Sequence, residues 1–163
     1  MAKEIERKFL IKTLPDDQPK RPRLIRQFYL QFRDPCVRVR IIDEPEIQSQ
    51  IAFLCIKYNV SDGVRDEYEY EIPVQDAREL ANHKVGMDIL KARYEIELND
   101  RIWEVDIYMG ENYGLKIAEI ELSSKNDKVC IPNWVGEEVT DNHRYLNASL
   151  AQVPFNMWKD SSK

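Results

Sequence analysis

The chain has 163 residues, 43% hydrophobic and 33% charged, with a net charge of −5. That suffices for one domain with a core of its own, and it is too apolar for a disordered chain. A mildly acidic balance argues against a general nucleic-acid binder, and no stretch is apolar enough to span a bilayer, so neither partner is expected.

Residues 3–12 read as a first strand. Alternation turns Glu4, Glu6 and Lys8 to one face and Ile5, Arg7 and Phe9 to the other. Pro15, Pro19 and Pro22 mark an irregular connection. Residues 25–32, rich in aromatic and branched side chains, predict a second strand. After a turn at Asp34-Pro35, residues 37–42 alternate strictly, with Arg38 and Arg40 on one face. The polar segment 43–50, holding Pro45, is expected to be a loop. Residues 51–58 predict a fourth strand with Lys57 near its end.

A turn at 59–63 leads to residues 65–72, where Arg65, Glu67, Glu69 and Glu71 alternate with Asp66, Tyr68, Tyr70 and Ile72. Residues 74–83 are predicted helical, capped by Asp76 or a neighbour. The segment 85–98 contains a strand carrying Lys91, Arg93, Glu95 and Glu97 in register. A hairpin-like turn at Asn99-Asp100 joins it to 102–108, which sets Glu104 and Asp106 against Trp103, Val105 and Ile107. Residues 115–122 carry Glu119 and Glu121. Beyond them, 134–140 is expected to be short and extended or mixed, 141–152 helical and the tail 155–163 loose.

This reads as α+β, mainly β: about eight strands in an antiparallel sheet, closed on itself to remove its edges. Taken one at a time, each charged face is an ordinary solvated surface. Together they sort by sign. Lys8, Arg38, Arg40, Lys57, Lys91 and Arg93 are cationic; Glu4, Glu6, Asp106, Glu119 and Glu121 are anionic. The economical geometry is a barrel with a charged interior, which is costly unless a ligand or partner satisfies it. Arg and Lys match phosphate oxygens. Clustered carboxylates hold hard divalent cations such as Mg2+ or Mn2+. A metal–polyphosphate between them neutralises both walls. No glycine-rich phosphate loop is present. Cys36, Cys55 and Cys130 lack metal-site spacing and read as reduced thiols. With no apolar leader, they give the expectation of a cytoplasmic protein.

Glu4-x-Glu6-x-Lys8 resembles the ExExK signature of the CYTH superfamily, the triphosphate tunnel metalloenzymes. The likeness continues through Tyr29-Leu30, Val37-Arg38-Val39-Arg40, Ile56-Lys57, Lys91-Ala92-Arg93-Tyr94, Trp103-Glu104-Val105-Asp106 and Ala118-Glu119-Ile120-Glu121-Leu122. It runs from about residue 2 to 154, so residues 1–154 form one domain and 155–163 a tail. The resemblance implies an eight-stranded closed antiparallel barrel with helices packed outside, acting on triphosphates with a divalent cation. It implies Glu4, Glu6, Asp106, Glu119 and Glu121 as metal residues, Asp106 in support. Lys8, Arg38, Arg40, Lys57, Lys91 and Arg93 would bind the triphosphate. Tyr29, Lys91, Glu6 and Glu121 would serve catalysis; Arg65, Glu67 and Glu69 receive no role.

Phe28, Cys55 and the pair Tyr58-Asn59 depart from the family pattern and put substrate preference in question. The expected activity is metal-dependent hydrolysis of a triphosphate. Tripolyphosphate is favoured over ATP or thiamine triphosphate, because no aromatic clamp or amide pair for a base stands among the inward positions. The alternatives are an adenylyl cyclase making cyclic AMP and a non-catalytic polyphosphate- or nucleotide-binding module. The apolar C-terminal region allows a homodimer without requiring one.

Overall fold

The computed structural model describes residues 5–16, 21–61, 64–124 and 127–158. Nine strands follow in order: β1 (Ile5–Ile11), β2 (Arg23–Gln31), β3 (Cys36–Glu44), β4 (Ser49–Ser61), β5 (Val64–Ile72), β6 (Val85–Leu98), β7 (Arg101–Met109), β8 (Lys116–Leu122) and β9 (Val135–Glu138). A helix, α1 (Val74–Leu80), follows β5, and α2 (Asn147–Leu150) lies near the C-terminus. Every pairing is antiparallel, in the order β5-β4-β3-β2-β6-β7-β8-β1-β9. The sheet curls into a barrel: side chains from β1 through β8 all line one cavity of about 880 Å3.

Alternation explains how a charged tunnel coexists with a stable core. Outward positions of β2, β3 and β4 (Phe28, Val39, Ile41, Ala52) are buried with Ala77 of α1. Outward positions of β1, β7 and β8 (Phe9, Trp103, Val105, Ala118, Ile120) pack with Val135 of β9 and with Trp134. A third cluster lies inside one end of the barrel. There Tyr29, Ile89, Tyr108 and Ile117 face inward and are covered by Tyr145, Leu150, Ala151 and Trp158. Burying side chains of this size contributes about 1.5–3 kcal/mol each.

The C-terminal segment therefore plugs one tunnel end. Gly86 permits the close approach. Its φ is +70°, and a Cβ there would lie 2.5 Å from the Ala151 carbonyl oxygen. The Met87 N–H donates to that same oxygen at 2.7 Å.

Four local expectations change. The loop at 43–50 shrinks, because β3 runs to Glu44 and β4 starts at Ser49. Asp76 sits in the first turn of α1 without capping it; Pro73 holds the cap position. Residues 141–152 form only a 3-10 turn at His143–Tyr145 and the four-residue α2, because Asn142 accepts from the Arg144 N–H and Leu146 is extended. The start of the tail, expected to be loose, is packed. Trp158 is 5% exposed, stacks edge-on against Tyr145 and Phe155, and donates its indole N–H to the Val153 carbonyl. Among the described residues no helix is long and apolar enough to cross a membrane.

Candidate active site: a charge-sorted tunnel

Alternation on β1 sends Glu6 and Lys8 into the tunnel. Phe9 goes to the outer core, and Arg7 pairs with Glu138 on β9 at 2.6 Å. The strand register then builds the walls. Glu6 stands opposite Glu121 and Lys8 opposite Glu119. Arg93 faces Asp106, Tyr29 faces Arg38, and Gln27 faces Arg40. Lys57 is opposite Glu67.

Nine of the residues expected from the sequence line this one cavity: Glu6, Lys8, Tyr29, Arg38, Arg40, Lys57, Arg93, Glu119 and Glu121. Lys91 and Asp106 stand behind the wall, both 0% exposed. Glu4 and the Arg65 side chain lie outside the described residues.

Asp106 is the electrostatic hub. Its Oδ1 accepts from Arg93 Nε at 2.7 Å, and its Oδ2 accepts from Arg93 Nη2 at 2.7 Å and Lys91 Nζ at 2.5 Å. Glu119 is shared between Lys8 Nζ at 2.5 Å and Arg93 Nη2 at 3.1 Å. Arg93 also pairs with Glu104. Both Asp106 oxygens are thus committed to cations, and so are both Glu119 oxygens. Burial alone would raise the Asp106 carboxyl, but Lys91 and Arg93 outweigh it and hold it well below the usual range. Glu119 is likewise held low against its burial, by Lys8 and Lys91. Burial and the neighbouring Arg93 pull Lys91 down to about 8 against the attraction of Asp106, so it is charged at neutral pH.

The opposite wall is built differently. Arg38 Nη2 donates to Glu69 at 3.0 Å, and Lys57 Nζ lies 2.7 Å from Glu67. The Cys55 thiol, pushed up to about 12 chiefly by burial, donates to Glu67 at 3.1 Å. Cys55, Glu67 and Glu69 have ligand atoms within 4.8 Å of one another, a spacing a metal could use. Arg38 and Lys57 already neutralise those carboxylates, which gives Glu67 and Glu69 a structural place: they balance the cations of β3 and β4.

Arg40 has no such partner. Among the described residues it forms no ion pair, and its Nε reaches only Gln27 Oε1 at 3.3 Å. Burial lowers its pKa, and Arg38 and Arg93 lower it further. Arg38 Nε is also buried without an acceptor. Gln27 Nε2 donates onward to the Tyr29 hydroxyl at 3.1 Å. Burial pushes that hydroxyl up to about 12, so it keeps its proton and can donate it to another acceptor.

Sequence reading missed Gln27 and Asn147. Gln27 shares the inward parity of Tyr29 on β2, so alternation alone could have found it. Asn147 reaches the cavity from α2, and no strand pattern announces it. With Gln152 from the same segment, and Asn59 two residues beyond Lys57 on β4, it gives the cavity amide side chains.

A stability test follows from the depressed carboxylates. Groups held below their unfolded pKa stabilise the fold above that pKa, and the contribution is lost as pH falls through the folded value. The melting temperature is therefore expected to be flat near neutrality and to drop below about pH 4, as the unfolded chain begins to take up protons that native Asp106 and Glu119 refuse. A profile unchanged down to about pH 2 would show that these pairs contribute nothing net.

Both walls of this curled antiparallel barrel set acidic side chains beside cationic ones around a single cavity. The chain belongs to the CYTH domain family, whose model matches residues 2–153. It is 38% identical over 162 residues to an inorganic triphosphatase of Acetivibrio thermocellus, covering 98% of this chain and all of that one. It is 35% identical over 153 residues to an inorganic triphosphatase of Nitrosomonas europaea, covering 91% and 96%. A crystal structure of an inorganic triphosphatase superposes with a TM-score of 0.66 at 32% identity, over 93% of this chain and 95% of that one.

Proposed function

We propose that this chain hydrolyses the terminal phosphate of a triphosphate, with inorganic tripolyphosphate as the favoured substrate and Mg2+ or Mn2+ as the cofactor. One observation carries the reading: among the described residues Arg40 forms no ion pair, Glu69 favouring its charge less than burial, Arg38 and Arg93 disfavour it, and Arg38 Nε has no acceptor. A buried donor without an acceptor costs about 1–3 kcal/mol, more when charged, so an anion with several oxygens is the matching ligand. The two relatives named inorganic triphosphatase support the substrate class.

The acidic wall fits a metal. Glu6 and Glu121 face each other across β1 and β8. Glu121 forms no ion pair among the described residues, and the nearest cation to Glu6 is Lys8 at 3.7 Å. Two carboxylates free to turn into the tunnel are hard oxygen donors of the kind Mg2+ and Mn2+ take. Glu4, a metal residue by the ExExK resemblance, would join them. Bound there, a divalent cation would neutralise phosphate oxygens and acidify a water. Since Asp106 and Glu119 are held by Lys and Arg, their part is to orient Lys8, Lys91 and Arg93.

The chain's own groups do the rest. Lys8, Arg38, Arg40, Lys57 and Arg93 bind phosphate oxygens and stabilise charge that builds on the leaving group. Tyr29, oriented by Gln27, keeps its proton and donates a hydrogen bond through its hydroxyl to a phosphate oxygen. The protein works in the cytoplasm, where its three cysteines stay reduced.

The test is phosphate release from tripolyphosphate, ATP and thiamine triphosphate with Mg2+, Mn2+ or chelator, with cyclic AMP measured in the ATP reactions. Fast metal-dependent release from tripolyphosphate is expected, and no cyclic AMP. Glu6→Gln is expected to lower turnover about a hundredfold or more at saturating metal, with an unchanged melting temperature. Near-native turnover in that variant would remove the acidic wall from the mechanism.

A further inference from the structure

Beyond the charged walls, the plugged end of the tunnel holds a neutral donor with no use so far. Asn147 opens α2 and lines the cavity next to Leu146 and Ala148. Its Oδ1 accepts the Tyr108 hydroxyl at 2.7 Å. Tyr108 is 1% exposed, and its ring lies 5.6 Å from Lys91 Nζ. Burial, with Asp106 and Glu119 nearby, holds that hydroxyl well above its ordinary range, so it remains a donor.

This fixes the amide's direction. With Oδ1 taken by Tyr108, Nδ2 points the other way. Nδ2 has no acceptor among the described residues. Nor is it one of the sealed, partnerless polar atoms, which are Arg38 Nε, Asp88 Oδ1 and Asn112 Nδ2. It is open, and Asn147 lines the tunnel.

The position is firm as well. The Tyr108 and Ile117 rows pack against Leu150 and Ala151 of the same segment. The Met87 N–H pins the Ala151 carbonyl, and Gly86 leaves room for it. An oriented N–H2 group on a fixed support, in a cavity it shares with Arg38, Arg40 and Tyr29, matches a phosphoryl oxygen.

We infer that Asn147 is a substrate-binding residue, its Nδ2 donating to a phosphoryl oxygen at the plugged end of the tunnel, and that Tyr108 is the residue that positions it. The inference rests on the tunnel being a triphosphate site. Because the donor is neutral, it grips an oxygen without adding to the repulsion that already burdens Arg40.

Calorimetric titration of tripolyphosphate in the presence of chelator tests this apart from turnover. Asn147→Asp keeps the shape and an acceptor for Tyr108, and replaces the donor with a negative charge. It is expected to weaken tripolyphosphate binding tenfold or more and to raise KM by a similar factor, with an unchanged melting temperature. Tyr108→Phe frees the amide and is expected to weaken binding by a smaller factor, about threefold.

If Asn147→Asp folds poorly, Asn147→Ala carries the test, with an expected loss of about threefold to tenfold. Wild-type affinity and KM in a well-folded Asn147 variant would overturn the inference and leave Asn147 as part of the plug. A wild-type protein that binds tripolyphosphate without hydrolysing it would overturn the hydrolase reading, and the affinity ratio would still decide Asn147. A wild-type protein that binds none overturns both.

Discussion

Arg40→Ala is expected to lower kcat/KM for tripolyphosphate by about a hundredfold or more while leaving the melting temperature unchanged or higher. The two halves of this result share one cause. Every other charged group on the cationic wall has a carboxylate: Arg38 has Glu69, Lys57 has Glu67, and Arg93 has Asp106. Among the described residues Arg40 forms no ion pair and bonds to the Gln27 amide, with Glu69 attracting it only through space. Its charge is disfavoured first by burial, then by Arg38 and Arg93. Deleting it removes an unbalanced charge from the folded protein, so stability does not suffer. In the complex the same charge meets phosphate oxygens, and its loss is felt in full.

Arg40→Ala also frees Gln27, which no longer has a donor for Oε1 and holds the Tyr29 hydroxyl less firmly. Part of the deficit should therefore appear in kcat and part in KM. Steady-state kinetics and a melting curve on one preparation decide the matter. A variant that loses stability and keeps its activity would make Arg40 a structural residue.

Strand parity discloses part of this site in the sequence and leaves the rest to the fold. Period-two alternation places Glu6, Lys8, Arg38, Arg40 and Arg93 on inward faces, because a strand offers its side chains only two directions. The single sign of the inward pairs Arg38 and Arg40 on β3 and Glu119 and Glu121 on β8 was legible for the same reason. The partners of each charge were not. That Asp106 ties its two oxygens to Arg93 and Lys91, and so sits behind the wall, depends on the β6–β7 register. That register is set by the turn and by packing across the sheet. The plug was hidden for another reason: residues 141–158 hold together through aromatic contacts among Tyr145, Phe155 and Trp158, which follow no helical or strand period. Asn147 reaches the tunnel only because that segment folds back over Gly86.

Asp106→Ala is expected to destabilise the protein by about 3–5 kcal/mol at neutral pH and to abolish most of its activity. For a domain of this size that is a fall of roughly 10 °C or more in melting temperature. The carboxylate is 0% exposed and neutralises Lys91, also 0% exposed, together with the Arg93 guanidinium. Without it, the buried Lys91 ammonium loses its hydrogen-bonded counter-charge and keeps only the attraction of Glu119, and Arg93 keeps only Glu104 and Glu119. Lys91 can shed its proton; Arg93 cannot.

This gives the prediction its signature. Asp106 is among the causes that raise the Lys91 pKa against burial and Arg93, so its removal sends that pKa below about 8. A base whose folded pKa is depressed destabilises the fold while the unfolded chain holds the proton, most severely at low pH while the folded group must also carry it. Folded wild-type Lys91 holds its proton up to about pH 8 and then sheds it, so above that pH the two folded proteins no longer differ at Lys91 and its part of the difference fades. The gap between wild type and Asp106→Ala should therefore narrow from pH 7 to about pH 10. Urea midpoints for both proteins at those two pH values measure it. Pairing Asp106→Leu with Lys91→Met should restore much of the stability, since an apolar pair of similar volume can replace a buried ion pair without loss. It should not restore turnover, because Arg93 is still left without the bidentate carboxylate that aims it into the tunnel. A deficit under about 1 kcal/mol in Asp106→Ala, independent of pH, would mean that water reaches Lys91 and that the hub is not sealed.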